Sequence, residues 1–188
     1  MRTLFYITIL FFLCSFTTST LKKVSDENYR YEFYTTAKQV KAKTHKTYFW
    51  FKGGKIHMAK AGVAGTLLQG DFKKYYHSNQ LAEQGTFKLG VKHGVWKTWY
   101  ESGVLKSLEH YTQGVKTGKA LYYTTTASIQ EKGNYHKDFK NGKWINYTTQ
   151  DTLFYKKGEV KLPKPKKETL KKFKKYFHTK KIFRGKST

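Results

Sequence analysis

Slid against itself by 24 residues, this sequence matches. "GDFKKYYHSNQL" (residues 70–81) lies over "GVWKTWYESGVL" (94–105), then "GKALYYTTTASI" (118–129), then "GKWINYTTQDTL" (142–153). One column reads Gly70, Gly94, Gly118 and Gly142; another reads Tyr75, Trp99, Tyr123 and Tyr147. A third reads Leu81, Leu105, Ile129 and Leu153, and a fourth Phe72, Trp96, Ala120 and Trp144. Upstream, "WFKGGKI" (50–56) matches "WYESGVL" with one residue inserted, so four full units and a partial fifth are expected. A fixed period of this size restricts the chain to an architecture in which one small unit stacks on the next.

The unit reads as a hairpin. An aromatic strand at 96–100 leads to a tight turn at 101–103, a second strand at 104–111 and a glycine-bracketed turn at 112–118. Aromatics at 18 %, 15 glycines and only 2 prolines suit short strands joined by tight turns. Asn79 stands in the column of Gly103, and Asn is the next-best residue for a left-handed backbone. The expectation is all-β: an elongated antiparallel sheet of tandem hairpins. Each hairpin packs its aromatics against its neighbours. Trp96 and Trp99 are three apart, so strict alternation puts them on opposite faces unless a bulge intervenes. The candidate binding surface is Trp96, Trp99, Tyr100, Tyr123, Trp144 and Tyr147.

"YTQGVKTG", "HGVWKTWYESGVL" and "YHKDFKNGKWINY" resemble MORN repeats of the bacterial MORN-variant type, often described as YwqK-type antitoxins. The resemblance covers residues 48–158. Ala120 departs from the pattern where Trp is expected, and Asp138 where Gly is expected, which marks those units as degenerate. The resemblance implies a hairpin sheet that serves interaction or scaffolding rather than catalysis.

The ends differ from this zone. Residues 1–19 read as an export signal: Arg2, the short apolar run "LFYITILFFL", then "CSFTTS". The run is shorter than the about 20 residues of a membrane-spanning helix. A retained anchor is the alternative. Its removal takes Arg2 and the only cysteine, Cys14, and lowers the net charge from +25 to +24. Residues 20–47 form a lead-in segment, 48–158 the repeat domain and 159–188 a Lys-rich tail. In the tail Pro163 and Pro165 mark a linker, and Leu170, Phe173 and Phe177 recur at helical spacing. Lys171, Lys172, Lys174 and Lys175 cover the other side. Such a segment suits a peripheral membrane surface, or it caps an open sheet edge.

The sequence lacks the signatures of common enzyme classes. "FKGGKI" has no helix pattern after it, as a phosphate-cradling loop requires. The seven histidines are scattered, no G-x-S-x-G elbow occurs, and the 12 acids show no paired spacing. No cofactor is expected. The charge of +25 calls for an anionic partner. Export argues against nucleic acid and for a protein or anionic component of a bacterial periplasm or cell envelope. The reading is an exported, non-enzymatic binding or scaffold module. The alternative is an antitoxin or immunity protein that neutralises a toxin by direct binding. Oligomeric state stays open.

Overall fold

The computed structural model describes residues 19–161. Residues 1–18 of the expected export signal and 162–188 of the Lys-rich tail, with the contacts expected at Leu170, Lys171, Lys172, Phe173, Lys174, Lys175 and Phe177, lie outside the described residues. Within them the chain is all-β, with no helix. Fourteen strands form one antiparallel sheet.

The repeat zone supplies the long central part as consecutive hairpins. These are β5 (Thr66–Tyr76) with β6 (Leu81–Lys88), and β7 (Val91–Trp99) with β8 (Leu105–Thr112). Next come β9 (Val115–Lys116) and β10 (Gly118–Tyr123) with β11 (Ile129–His136), then β12 (Phe139–Asn146) with β13 (Asp151–Lys156). The short β14 (Glu159–Lys161) closes that end. One hairpin per 24 residues is therefore the observed unit. The lead-in is part of the same sheet: β1 (Thr20–Ser25) pairs β2 (Tyr29–Thr36), which pairs β5.

The partial fifth unit is also a hairpin, β3 (Thr47–Lys52) and β4 (Lys55–Lys60), turning at Gly53–Gly54. It does not extend the row. It joins β5 through Trp50↔Leu67 and Phe51↔Thr66 and leaves the main strand order. Phe49, Phe51 and Ile56 then pack on a core of Phe33, Leu68, Phe72, Phe87 and Trp96. This hairpin thus covers one face of β2 and β5–β7, called the inner face here. Its other side, Tyr48 and Trp50, joins Leu67 and Val91 in a second buried cluster. Beyond β8 the inner face has no such cover among the described residues.

Strand bulges explain the glycine columns: Gly70, Gly94 and Gly142 lie inside β5, β7 and β12 where the register with a neighbouring strand shifts, and Gly118 opens β10. Gly70, Gly94, Gly118 and Gly142 all have φ between 67° and 75°. No heavy atom lies within 4 Å of a Cβ built on Gly94 or Gly142, so backbone conformation, not crowding, calls for glycine there. Asn79 is left-handed at φ 68°, as expected from its place over Gly103 at 86°. Asp138, out of pattern in the sequence, forms the same kind of turn: Lys137 and Asp138 (φ 51° and 68°) match Gln113 and Gly114 (51° and 85°). Its carboxylate accepts the Lys116 backbone N–H at 2.7 Å. That unit is not degenerate in structure.

Candidate functional site

The inner face carries a recurring device. Trp96 and Trp144 are each 2 % exposed, and each indole lies flat on a glycine of the preceding strand. A Cβ on Gly85 or Gly133 would sit 2.2 Å from the ring. A lysine roofs each ring: Lys92 Nζ is 3.9 Å from the Trp96 centroid and Lys140 Nζ 4.0 Å from that of Trp144. Each roof is held by a glutamate, Lys92 by Glu83 at 2.7 Å and Lys140 by Glu131 at 2.5 Å. Trp96 and Trp144, expected on a binding surface, are therefore core residues. A buried ring under a paired lysine offers a partner nothing.

The third unit solves the same packing differently. Ala120 replaces the indole, and Glu109 stands in the glycine column. The space left by the missing ring takes the Glu109 carboxylate, which accepts hydrogen bonds from Lys116 Nζ (2.6 Å), Tyr122 Oη (2.6 Å) and Tyr111 Oη (2.9 Å). Burial alone would raise the Glu109 carboxyl. The bonds from Lys116 and Tyr122 and the Lys116 charge outweigh it, and the net direction is downward. Burial, with the hydrogen bond to Glu109, pushes the Tyr122 hydroxyl up.

The opposite, outer face is where the other candidates fall. Register shifts occur at Lys74/Tyr75, Thr98/Trp99 and Tyr122/Tyr123, and each places the extra residue in the returning strand. Between Trp96 and Trp99 the strand keeps its alternation, so both faces bear aromatics. Trp99, Tyr123 and Tyr147 form one column on the outer face, and Tyr75 extends it at the other end. Trp99 and Tyr123 are half-buried, and Tyr147 is 44 % exposed. Successive members sit two strands apart, about 10 Å at the usual strand spacing. Tyr100 follows the column into the turn, where its hydroxyl donates to the Tyr123 carbonyl at 2.9 Å. Tyr76 does the same to Trp99 at 3.0 Å. These two rings tie neighbouring repeats together.

Lysines flank the aromatic column. Alternation places Lys73, Lys97, Lys119, Lys132 and Lys143 on the outer face. Lys132 lies over the Tyr147 ring at 5.2 Å, and Arg30 over Tyr75 at 5.7 Å. None of these lysines makes an ion pair among the described residues, and the outer-face Glu32 is held by Lys23 at 3.0 Å. Sequence reasoning missed these lysines and Tyr75. The signal was present: Tyr75 belongs to the column itself, and Lys73, Lys97, Lys119 and Lys143 stand two or four residues before its members, whereas Lys132 lies on the intervening β11.

Among the described residues no group of three or more His, Cys, Asp or Glu is placed to hold a metal ion. Compared with protein-family models the chain matches none, and a comparison with curated proteins likewise finds no match.

Proposed function

We propose that this chain is an exported, non-enzymatic repeat protein that binds an acidic partner of the cell envelope through its outer sheet face. The carrying observation is a contrast between two sets of lysines that recur along the repeats. Inner-face Lys92, Lys116 and Lys140 each have their own glutamate, whereas outer-face Lys73, Lys97, Lys119, Lys132 and Lys143 have none among the described residues. A lysine without an internal counter-charge is open to a carboxylate or phosphate of a partner. The aromatic column beside it offers flat contact area and cation–π geometry. An extended polyanion laid across the strands would meet one such ring at each repeat. Export rests on residues 1–19, and the scaffold role on the resemblance to MORN-variant repeats.

Titration of the full chain with poly-glutamate at low and high salt tests the surface. The triple change Lys97→Glu, Lys119→Glu and Lys132→Glu is expected to abolish low-salt binding, and Trp99→Ala to weaken it without changing the salt dependence. Equal binding by the triple variant would remove the outer face from consideration. Rescue of cells from a toxin encoded beside the gene would instead favour the immunity reading.

A further inference from the structure

A separate cavity of about 310 Å³ opens where β6 turns into β7. That volume is at the lower end of small-molecule pockets, roughly 300–1,000 Å³. Its lining has two chemistries. Val40, Tyr48, Leu89 and Val91 supply apolar surface, and Tyr48 and Val91 belong to the second buried cluster. Around them stand Lys41, Lys43, Lys46 and Lys88, with no carboxylate in the lining. None of the four makes an ion pair among the described residues. His93 also lines the wall, and its Nδ1 is buried with no hydrogen-bond partner.

Both walls are fixed by the backbone. On one side the 43–46 turn is closed by the Lys46 N–H donating to the Lys43 carbonyl at 3.0 Å. The Lys43 N–H donates to Tyr48 Oη at 3.2 Å, which ties the turn to the floor. On the other side the Leu89 N–H donates to Gln69 Oε1 at 2.8 Å. Gly90 donates to the Leu68 carbonyl at 2.8 Å and accepts from Phe49 at 2.7 Å. A Cβ on Gly90 would fall 2.5 Å from Leu67 Cδ2, so this turn is seated tightly. Desolvation, and the charge of Lys43 beside it, hold the Lys46 ammonium below its usual value. Several cations gathered around an apolar floor, on walls the backbone fixes and with no carboxylate in the lining, favour an anion.

We propose that this cavity binds a small amphiphilic anion: one carboxylate or phosphate group carried on a short apolar body. The charged group would meet the lysines while the apolar body lies on Leu89 and Val91. The inference does not rest on the outer-face reading, since Lys97, Lys119 and the aromatic column take no part in the cavity.

Calorimetric titration of the full chain with hexanoate, hexyl phosphate, hexanol and inorganic phosphate tests it. Hexanoate and hexyl phosphate are expected to bind one-to-one, hexanol at least about ten-fold more weakly for want of a charge-assisted hydrogen bond, and inorganic phosphate at least about ten-fold more weakly for want of the buried apolar body. The double change Lys43→Glu and Lys88→Glu, both at exposed side chains, should weaken the two anions by a similar factor. If that variant unfolds, Lys43→Gln with Lys88→Gln removes the charges at similar length. Lys97→Glu with Lys119→Glu should leave hexanoate binding unchanged. No binding of either amphiphile, equal binding of hexanol, equal binding of phosphate, or indifference to the Lys43 and Lys88 changes would each overturn the proposal. So would displacement of hexanoate by anionic phosphatidylglycerol vesicles, which would assign these lysines to a membrane surface.

Discussion

Ala127 occupies the turn position that Asn79 and Gly103 serve in the two preceding repeats, and its φ is 62°. The same bond closes all three turns, from Asn79 to Tyr76, Gly103 to Tyr100 and Ala127 to Thr124. A Cβ in this region costs roughly 1–2 kcal/mol, and glycine's larger unfolded entropy offsets part of that gain. Ala127→Gly is therefore expected to stabilise the chain by about 0.5–1 kcal/mol in denaturant unfolding. A destabilised variant would show that the turn is set by its threonines and not by backbone strain. The two glycine-backed tryptophans, Trp96 and Trp144, differ in one atom's fate. Trp144 Nε1–H donates to the Asn134 carbonyl at 3.0 Å, while Trp96 Nε1 is buried without a partner. Trp144→Phe should then cost about 1 kcal/mol more than Trp96→Phe, one net hydrogen bond. Equal costs would mean that the Trp96 N–H is satisfied by water. Trp99, half-buried on the outer face, should lose about 1–2 kcal/mol on truncation to Ala, less than a fully buried ring.

Within a repeat, the unit of packing is a pair of positions on neighbouring strands. Trp96 needs Gly85, Trp144 needs Gly133, and Ala120 leaves room for Glu109. Ala120→Trp alone should destabilise by about 1–3 kcal/mol through overpacking. Adding Glu109→Gly should recover most of that, and Ser107→Glu should then pair Lys116 as Glu83 pairs Lys92. A double-mutant cycle on 109 and 120 reads the coupling, and additive costs would refute the exchange. Glu109 also makes this unit sensitive to acid. Its carboxyl is lowered from an ordinary 4.5, so its contribution is complete above that pH and is lost as pH falls through the lower folded value. Glu109→Gln should flatten the acid side of the stability profile, and an unchanged profile would argue against the ionised cluster. The columns showed where the hairpins lie, and the turn at Asn79 was legible residue by residue. The Ala120 departure was legible too, but its compensation at Glu109 was not. That pairing spans 11 residues in sequence and becomes a contact only once strand register is known. The same limit put Trp96 and Trp144 on the wrong list, because a repeat column marks equivalent positions and does not say which face they line.

Across the whole molecule the two halves of the sheet are protected differently. At β5–β7 the β3–β4 hairpin lies over the inner face, with Phe49 and Phe87 rings at 5.0 Å and Phe33 and Phe51 at 5.5 Å. From β10 onward the described inner face is one layer, and its shelter is local: Tyr135 at 5.1 Å and Tyr155 at 6.3 Å beside Trp144, with Lys140 above. The sequence predicted a uniform row of repeats. The difference arises because "WFKGGKI" matches the repeat by its turn, yet carries apolar side chains on both faces of its strand, Tyr48 and Trp50 on one and Phe49 and Phe51 on the other. A strand apolar on both sides is driven between two clusters and cannot take a place at an open edge. Stability in a repeat array is a sum of units and their neighbour contacts, so the covered half should open last. Native-state hydrogen exchange is expected to show the slowest amides in β5–β7 and progressively faster exchange through β11, β12 and β13. Phe49→Ala, which takes one ring from the cover, should speed exchange in β5–β7 while leaving β12 and β13 unchanged. Uniform exchange along the sheet would mean that the repeats unfold as one cooperative unit. Accelerated exchange in β13 on Phe49→Ala would mean that the cover stabilises the far end through the intervening strands, which the nearest-neighbour picture forbids.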